Sequence, residues 1–152
     1  MMRAILSAAL AIAFVVGVSA QDKPDFTGKW KPDPGRSKTI GGLGPAQTIT
    51  VEGSKMTIIR TVAGNSSSTV YMLDGTPSTN TAGVPGSQRE ITYTSKWEGR
   101  VLVTTWTPSP LITDVESRSI EADGTMKVEV THSFNKEPGK SETSTRVFNK
   151  TK

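Results

Sequence analysis

Apolar and polar residues alternate over short stretches of this chain, and after residue 20 no apolar period of 3.6 residues persists. The runs rich in β-branched and aromatic residues are Phe26–Lys31, Gln47–Glu52, Lys55–Val62, Ser68–Asp74, Gln88–Trp97, Arg100–Trp106, Ile112–Glu121, Thr125–Phe134 and Ser141–Asn149. Specific punctuation separates them: Glu52-Gly53-Ser54, Asp74-Gly75, Glu98-Gly99, Asp123-Gly124 and Pro138-Gly139. Such dipeptides supply the positive φ that tight hairpins demand. The pattern predicts about nine strands in an antiparallel up-and-down meander, closed into a barrel that removes its open edges. Two longer loops are expected, Pro32–Ala46 and Gly75–Ser87, because Pro and Gly interrupt any helix there.

Residues 1–20 break this pattern. Arg3 is a basic start, Ala4–Val18 is apolar apart from Ser7 and Gly17, and Val18-Ser19-Ala20 offers small residues where a signal peptidase cuts. The segment predicts a cleaved signal peptide over 1–20 and a single domain over 21–152. The apolar run falls short of the ~20 residues of a membrane span, and polar sequence follows at once. The expected location is therefore secreted or periplasmic, with no transmembrane segment in the mature chain.

Charge adds little to this picture. Without Arg3, 17 basic against 14 acidic residues leave +3, spread along the chain. That is too dilute for a phosphate-binding stripe, so no nucleic-acid partner is expected. Cysteine is absent, so burial rather than disulfides must stabilise an exported domain. His132 is the only histidine, Asp123-Gly124 lacks the alternating acids of a calcium loop, and no Gly-x-Ser-x-Gly elbow occurs. No metal and no cofactor is expected.

The hairpin Ile112–Phe134 carries the sharpest question, because its register decides what faces inward. A two-residue turn at Asp123-Gly124 puts Arg118 opposite Glu129 on the outside, with Val115, Ser117, Val128, Val130 and His132 on the other face. A three-residue loop, Ala122-Asp123-Gly124, instead brings Ile120 opposite Met126 and turns Asp114, Glu116 and Arg118 inward beside His132. The cost of burying three charges favours the first register; the aliphatic match of Ile120 with Met126 favours the second. An inward Arg118 would suit an anionic head group, and His132 with Glu116 or Asp114 would suit general acid–base chemistry. Tyr93 and Trp106 are candidates for a pocket mouth, although core packing accounts for most aromatics in so small a set.

The stretch Asp25-Phe26-Thr27-Gly28-Lys29-Trp30-Lys31 resembles the first strand of lipocalin-like (calycin) β-barrels, which open on Gly-x-Trp, here Gly28 and Trp30. It is also similar to the GTWK-x-DP-x-x-S start of a group of small secreted bacterial proteins, matched by Gly28, Trp30, Lys31, Asp33, Pro34 and Ser37. The calycin resemblance implies that Trp30 closes one barrel end and that an arginine of the last strand, Arg146, stacks on it. The stretch after the first strand lacks the helix-turn-helix lid of fatty-acid-binding proteins, which counts against a gated fatty-acid cavity. By fold analogy the expected function is non-enzymatic binding of a small, partly apolar ligand, with Tyr93, Trp106, Arg118 and His132 as candidate contacts. Two alternatives stand beside it: an envelope interaction protein with a side-chain-filled barrel, and a small enzyme using His132 with a carboxylate.

Overall fold

A computed structural model describes residues 22–152; the expected signal segment, 1–20, lies outside the described residues. Ten strands follow one another with no helix among the described residues. They are β1 (Gly28–Pro32), β2 (Gln47–Glu52), β3 (Lys55–Val62), β4 (Asn65–Met72), β5 (Ser78–Ala82), β6 (Arg89–Glu98), β7 (Val101–Ser109), β8 (Ile112–Ile120), β9 (Met126–Phe134) and β10 (Ser141–Thr151). All pairings are antiparallel between chain neighbours, except that β1 also pairs with β10 and joins the two ends of the meander. The sheet curls into a nearly closed, lipocalin-like barrel of ten strands rather than about nine.

The extra strand, β5, lies inside the expected loop Gly75–Ser87. Its sequence, Ser78-Thr79-Asn80-Thr81-Ala82, carries no large apolar residue, so alternation could not reveal it. It pairs only with β6, and β4 and β5 form the two ends of the sheet order. Side chains close the seam between them. Val70 N–H donates to Asn80 Oδ1 (2.7 Å), while Asn80 Nδ2 (2.8 Å) and Ser78 Oγ (2.6 Å) donate to the Val70 carbonyl. One carboxamide thus does for Val70 what a neighbouring strand would do. β4 also begins earlier than expected, because Ala63 (φ 49°) and Gly64 (φ 81°) form a two-residue turn with both φ positive.

The hairpin β8–β9 takes the register that desolvation cost argued against. Ile120 lies opposite Met126, Arg118 opposite Val128, Glu116 opposite Val130 and Asp114 opposite His132. The loop is Ala122-Asp123-Gly124, with Gly124 at φ +81° and its N–H donating to the Glu121 carbonyl (2.9 Å). Asp123 Oδ1 accepts from both the Thr125 N–H (3.0 Å) and the Thr125 hydroxyl (2.6 Å), which fixes the longer turn. The three charges do face inward. Their cost is met by pairing, described below.

Cross-strand registers stack the interior in rows. One row contains Trp97, Leu102, Arg118, Val128 and Arg146; the next contains Ser95, Thr104, Glu116, Val130 and Ser144. Above it Tyr93, Trp106, Asp114, His132 and Glu142 approach the open end. Below Arg118 the barrel is solid: Phe26, Trp30, Ile49, Met56, Ile58, Met126 and Phe148 are all 0–2 % exposed and form one cluster with Leu102 of the Arg118 row. Trp30 lies in this plug and its indole N–H donates to the Phe26 carbonyl (2.8 Å). The cation over Trp30 is Lys150 (Nζ 5.4 Å from the ring centre), its register partner, and not Arg146. Arg146 lies four residues earlier on β10, opposite Val128, and faces the barrel interior. Gly28 suits this position because its φ of +144° is one that side-chain-bearing residues rarely adopt.

Candidate functional site

The interior above the apolar plug is polar, and each polar group has a definable source. Strand positions 114, 116 and 118 share one face because side chains alternate with a period of two. Arg118 is 0 % exposed. Its Nε (3.1 Å) and Nη2 (2.8 Å) both donate to Oε1 of Glu116, and its Nη1 donates to Gln47 Oε1 (3.2 Å) and Met126 Sδ (3.2 Å). A buried guanidinium is tolerated only with such pairing, and here a carboxylate two residues back on the same strand supplies it. Ser95 and Thr104 hydroxyls, both buried, bond each other at 2.8 Å in the row of Glu116.

Two more arginines enter the same space. Arg60 of β3 donates to Thr69 Oγ1 (3.2 Å) on β4. Arg146 of β10 reaches the Gly42 carbonyl through Nη2 at only 3.5 Å, and its Nε is buried without a hydrogen-bond partner among the described residues. Such an orphaned buried donor is uncommon in native proteins. Together with Leu43, Pro45, Gln47, Glu116 and Val128, these arginines line a cavity of about 230 Å³ under the β1–β2 loop. The charged lining is two guanidiniums against one carboxylate already held by Arg118.

The loop over this cavity is pinned rather than hinged. The Asp33 N–H donates to the Val147 carbonyl (2.7 Å), Lys38 and Thr145 exchange backbone bonds, and the Ile40 N–H donates to the buried Ser144 hydroxyl (3.0 Å). Arg36 also pairs with Asp123 at 2.8 Å. Hydrogen bonds from Thr125, aided by Arg36, hold that carboxyl down at about 2.

Nearer the open end, His132 Nδ1 and Asp114 Oδ1 lie 2.6 Å apart, with Asp114 buried and His132 half-exposed. Tyr71, Tyr93 and Trp106 form a chain of ring contacts at 5.2 and 5.5 Å. Burial, with Tyr71 nearby, pushes the Tyr93 phenol up to about 12. Of the sequence candidates, Arg118 and His132 face the interior, two rows apart, while Tyr93 and Trp106 share the row of His132 and pack against the core cluster. None of these four lines the 230 Å³ cavity itself. Arg146, expected as a barrel plug, lines it, as do Arg60, Gln47 and Glu116. The signal for Glu116 was present in the sequence, since opposite charges at i and i+2 of a strand share a face. Arg60 and Gln47 had no such signal, because only closure of the barrel brings β2 and β3 across from β8.

Neither a protein-family model nor a curated protein matches the chain. Solved structures do. A fatty acid transporter described as REP1-NXSQ superposes with a TM-score of 0.62 at 20 % identity, over 83 % of this chain and 96 % of that one. Fatty-acid-binding protein 1 of Echinococcus granulosus gives 0.59 at 16 % identity, over 84 % and 98 %. The Schistosoma mansoni fatty acid binding protein in complex with arachidonic acid gives 0.59 at 21 % identity, over 84 % and 96 %. At these identities the likeness defines the fold alone: an all-β, lipocalin-like barrel of ten antiparallel strands.

Proposed function

We propose that this protein is an exported, non-enzymatic binder that holds a small amphipathic anion in the upper half of its barrel. The observation that carries the reading is the buried, unpartnered Nε of Arg146 beside Arg60, in a cavity whose wall also holds Gln47 and Glu116 and the apolar Leu43, Pro45 and Val128. Arginine presents a planar fork suited to carboxylate or phosphate, and the desolvated Nε–H of Arg146, left without a partner, is a donor poised for one. Leu43, Pro45 and Val128 receive the apolar part. Arg118 supports the site rather than binding in it, because its donors are already taken by Glu116, Gln47 and Met126. A volume of about 230 Å³ is below the ~300–1,000 Å³ typical of drug-sized ligands, so the ligand is small. The fatty-acid-binding neighbours support the class of ligand, and the filled lower half sets its length.

Export rests on the pattern of residues 1–20, and the mass of the protein recovered from its native extracellular or periplasmic fraction tests it: cleavage after Ala20 leaves Gln21 first. Native mass spectrometry of the same material tests binding, with a reproducible small additional mass expected. Calorimetric titration with hexanoate or octanoate gives the second check. Arg146→Met is expected to abolish binding while leaving the fold intact by circular dichroism, and unchanged affinity would refute the reading. The filled plug and the exposed Ile40 and Leu111 favour one other reading, an interaction protein that uses its loops, which consistently bare protein would support.

A further inference from the structure

A second cavity, of about 550 Å³, lies at the opposite end of the barrel, outside the apolar plug. Residues 23–27 form one wall, the β2–β3 turn and the β4–β5 connection form the others, and Trp97 of β6 lines it between them. Its chemistry is the reverse of the upper cavity. The charged lining there is two arginines and a carboxylate; here it is two carboxylates, Asp25 and Asp74, and one ammonium, Lys23.

We infer that this closed-end cleft is a binding site for an organic ammonium ion with a flat apolar body, and that Lys23 is its resident occupant. Trp97 provides the platform. Its ring lies parallel to the buried Phe26 ring (2° between planes, centres 5.8 Å apart), so it is held from behind while it remains part-exposed in front. The Lys23 Nζ sits 5.5 Å from the centre of the Trp97 ring. The chain thus already places an ammonium on this aromatic face, where the ring quadrupole attracts cations and gives anions nothing. Lys23 is exposed and belongs to the short segment before β1, so an incoming cation can displace it without disturbing a strand.

The two carboxylates fix the sign of the site. Asp25 Oδ1 accepts from the Thr27 N–H (2.8 Å) and Asp74 Oδ1 from the Thr76 N–H (3.0 Å), which leaves Oδ2 of each without such a bond. These threonine hydrogen bonds hold both groups below the usual aspartate range, so both are ionised at neutral pH. Val51 and Leu73, partly buried against the core, supply the apolar sides. The volume falls within the ~300–1,000 Å³ of small-molecule sites, enough for one or two rings.

The test titrates the protein with benzyltrimethylammonium and, separately, with 3-phenylpropanoate, by ligand-observed NMR and tryptophan fluorescence. The cation is expected to bind and to compete with no carboxylate held in the upper cavity, so failure here leaves the reading of that cavity untouched. Lys23→Ala removes the resident ammonium and is expected to tighten cation binding about fivefold, while Asp74→Asn, which keeps the turn at Thr76, weakens it by about as much. Lys29→Ala changes the net charge equally on an exposed position of β1 and is expected to leave affinity within about 1.5-fold. Equal binding of cation and anion, equal effects of Lys23→Ala and Lys29→Ala, or no effect of Asp74→Asn would each overturn the inference.

Discussion

Arg118 shows how a single residue organises the interior. It has no solvent, and every direction of its guanidinium is met by Glu116, Gln47 or Met126. Such pairs contribute little net stability, because desolvation offsets attraction, yet breaking one leaves an uncompensated charge. Glu116→Gln or Arg118→Met alone is therefore expected to cost ~3–5 kcal/mol in urea unfolding. The double change, Arg118→Met with Glu116→Leu, is expected to be near neutral; additive losses would show that the two side chains act independently rather than as a pair. The two tyrosines provide an independent check of burial. Tyr71 is raised by burial and then by the Glu116 charge, and Tyr93 reaches about 12 from an ordinary 10. A raised phenol favours the neutral form in the folded state, so its contribution is complete below pH 10 and is lost as pH rises through about 12. These are the only tyrosines in the chain. Absorbance at 295 nm is thus expected to show almost no phenolate at pH 10 in the native protein. Titration of either ring near its ordinary value would mean that the Tyr71–Tyr93 contact is open.

The least regular element, β5, closes the barrel through side chains rather than a ladder. Asn80→Ala removes both the acceptor for the Val70 N–H and a donor to its carbonyl. The Val70 N–H is left without a partner while its carbonyl keeps the Ser78 hydroxyl, and the change is expected to cost ~1–3 kcal/mol, with faster hydrogen exchange confined to the Val70 amide and its neighbours on β4. Exchange that stays slow would show that Ser78 alone holds the seam. The same element shows what the sequence conveyed and what it did not. Strands with a buried face, such as Val101–Ser109 and Met126–Phe134, were legible because alternation records burial. β5 was not, because its role is carried by an amide that mimics backbone, which leaves no apolar signature. Desolvation argues for the other β8–β9 register only when Asp114, Glu116 and Arg118 are counted as three separate charges. Arg118 neutralises Glu116 on its own strand and His132 meets Asp114 across the ladder, so the true desolvation cost is much smaller. The arginine expected over Trp30 was misplaced for a related reason: β10 runs on to Thr151, and that overshoot sets Lys150, not Arg146, beside β1.

Taken whole, the barrel is divided along its axis: an apolar plug below Arg118, a cationic cavity above it, and an acidic cleft beyond the plug. This division, more than the fold, sets what the interior can hold. Proteins of the same fold described as a fatty acid transporter and fatty acid binding proteins superpose over more than four-fifths of the chain, one of them in complex with arachidonic acid. In this chain Met56, Ile58, Met126 and Phe148, each at most 1 % exposed, fill the lower half of the barrel. Affinity for straight-chain carboxylates is therefore expected to rise with each added methylene by up to ~0.8 kcal/mol while the cavity fills, then to fall once the chain meets the plug. With about 230 Å³ available, that turn is expected well short of arachidonate. Phe148→Ala should move it, since Phe148 lies opposite Met126 directly beneath the Arg118 row. The variant is expected to lose ~3–5 kcal/mol of stability from the void, and to bind carboxylates several carbons longer than the parent does. Calorimetric titration across the chain-length series reads both curves. A parent optimum already at arachidonate length would mean that the plug yields to ligand, and that the filled lower half is a feature of the empty barrel alone.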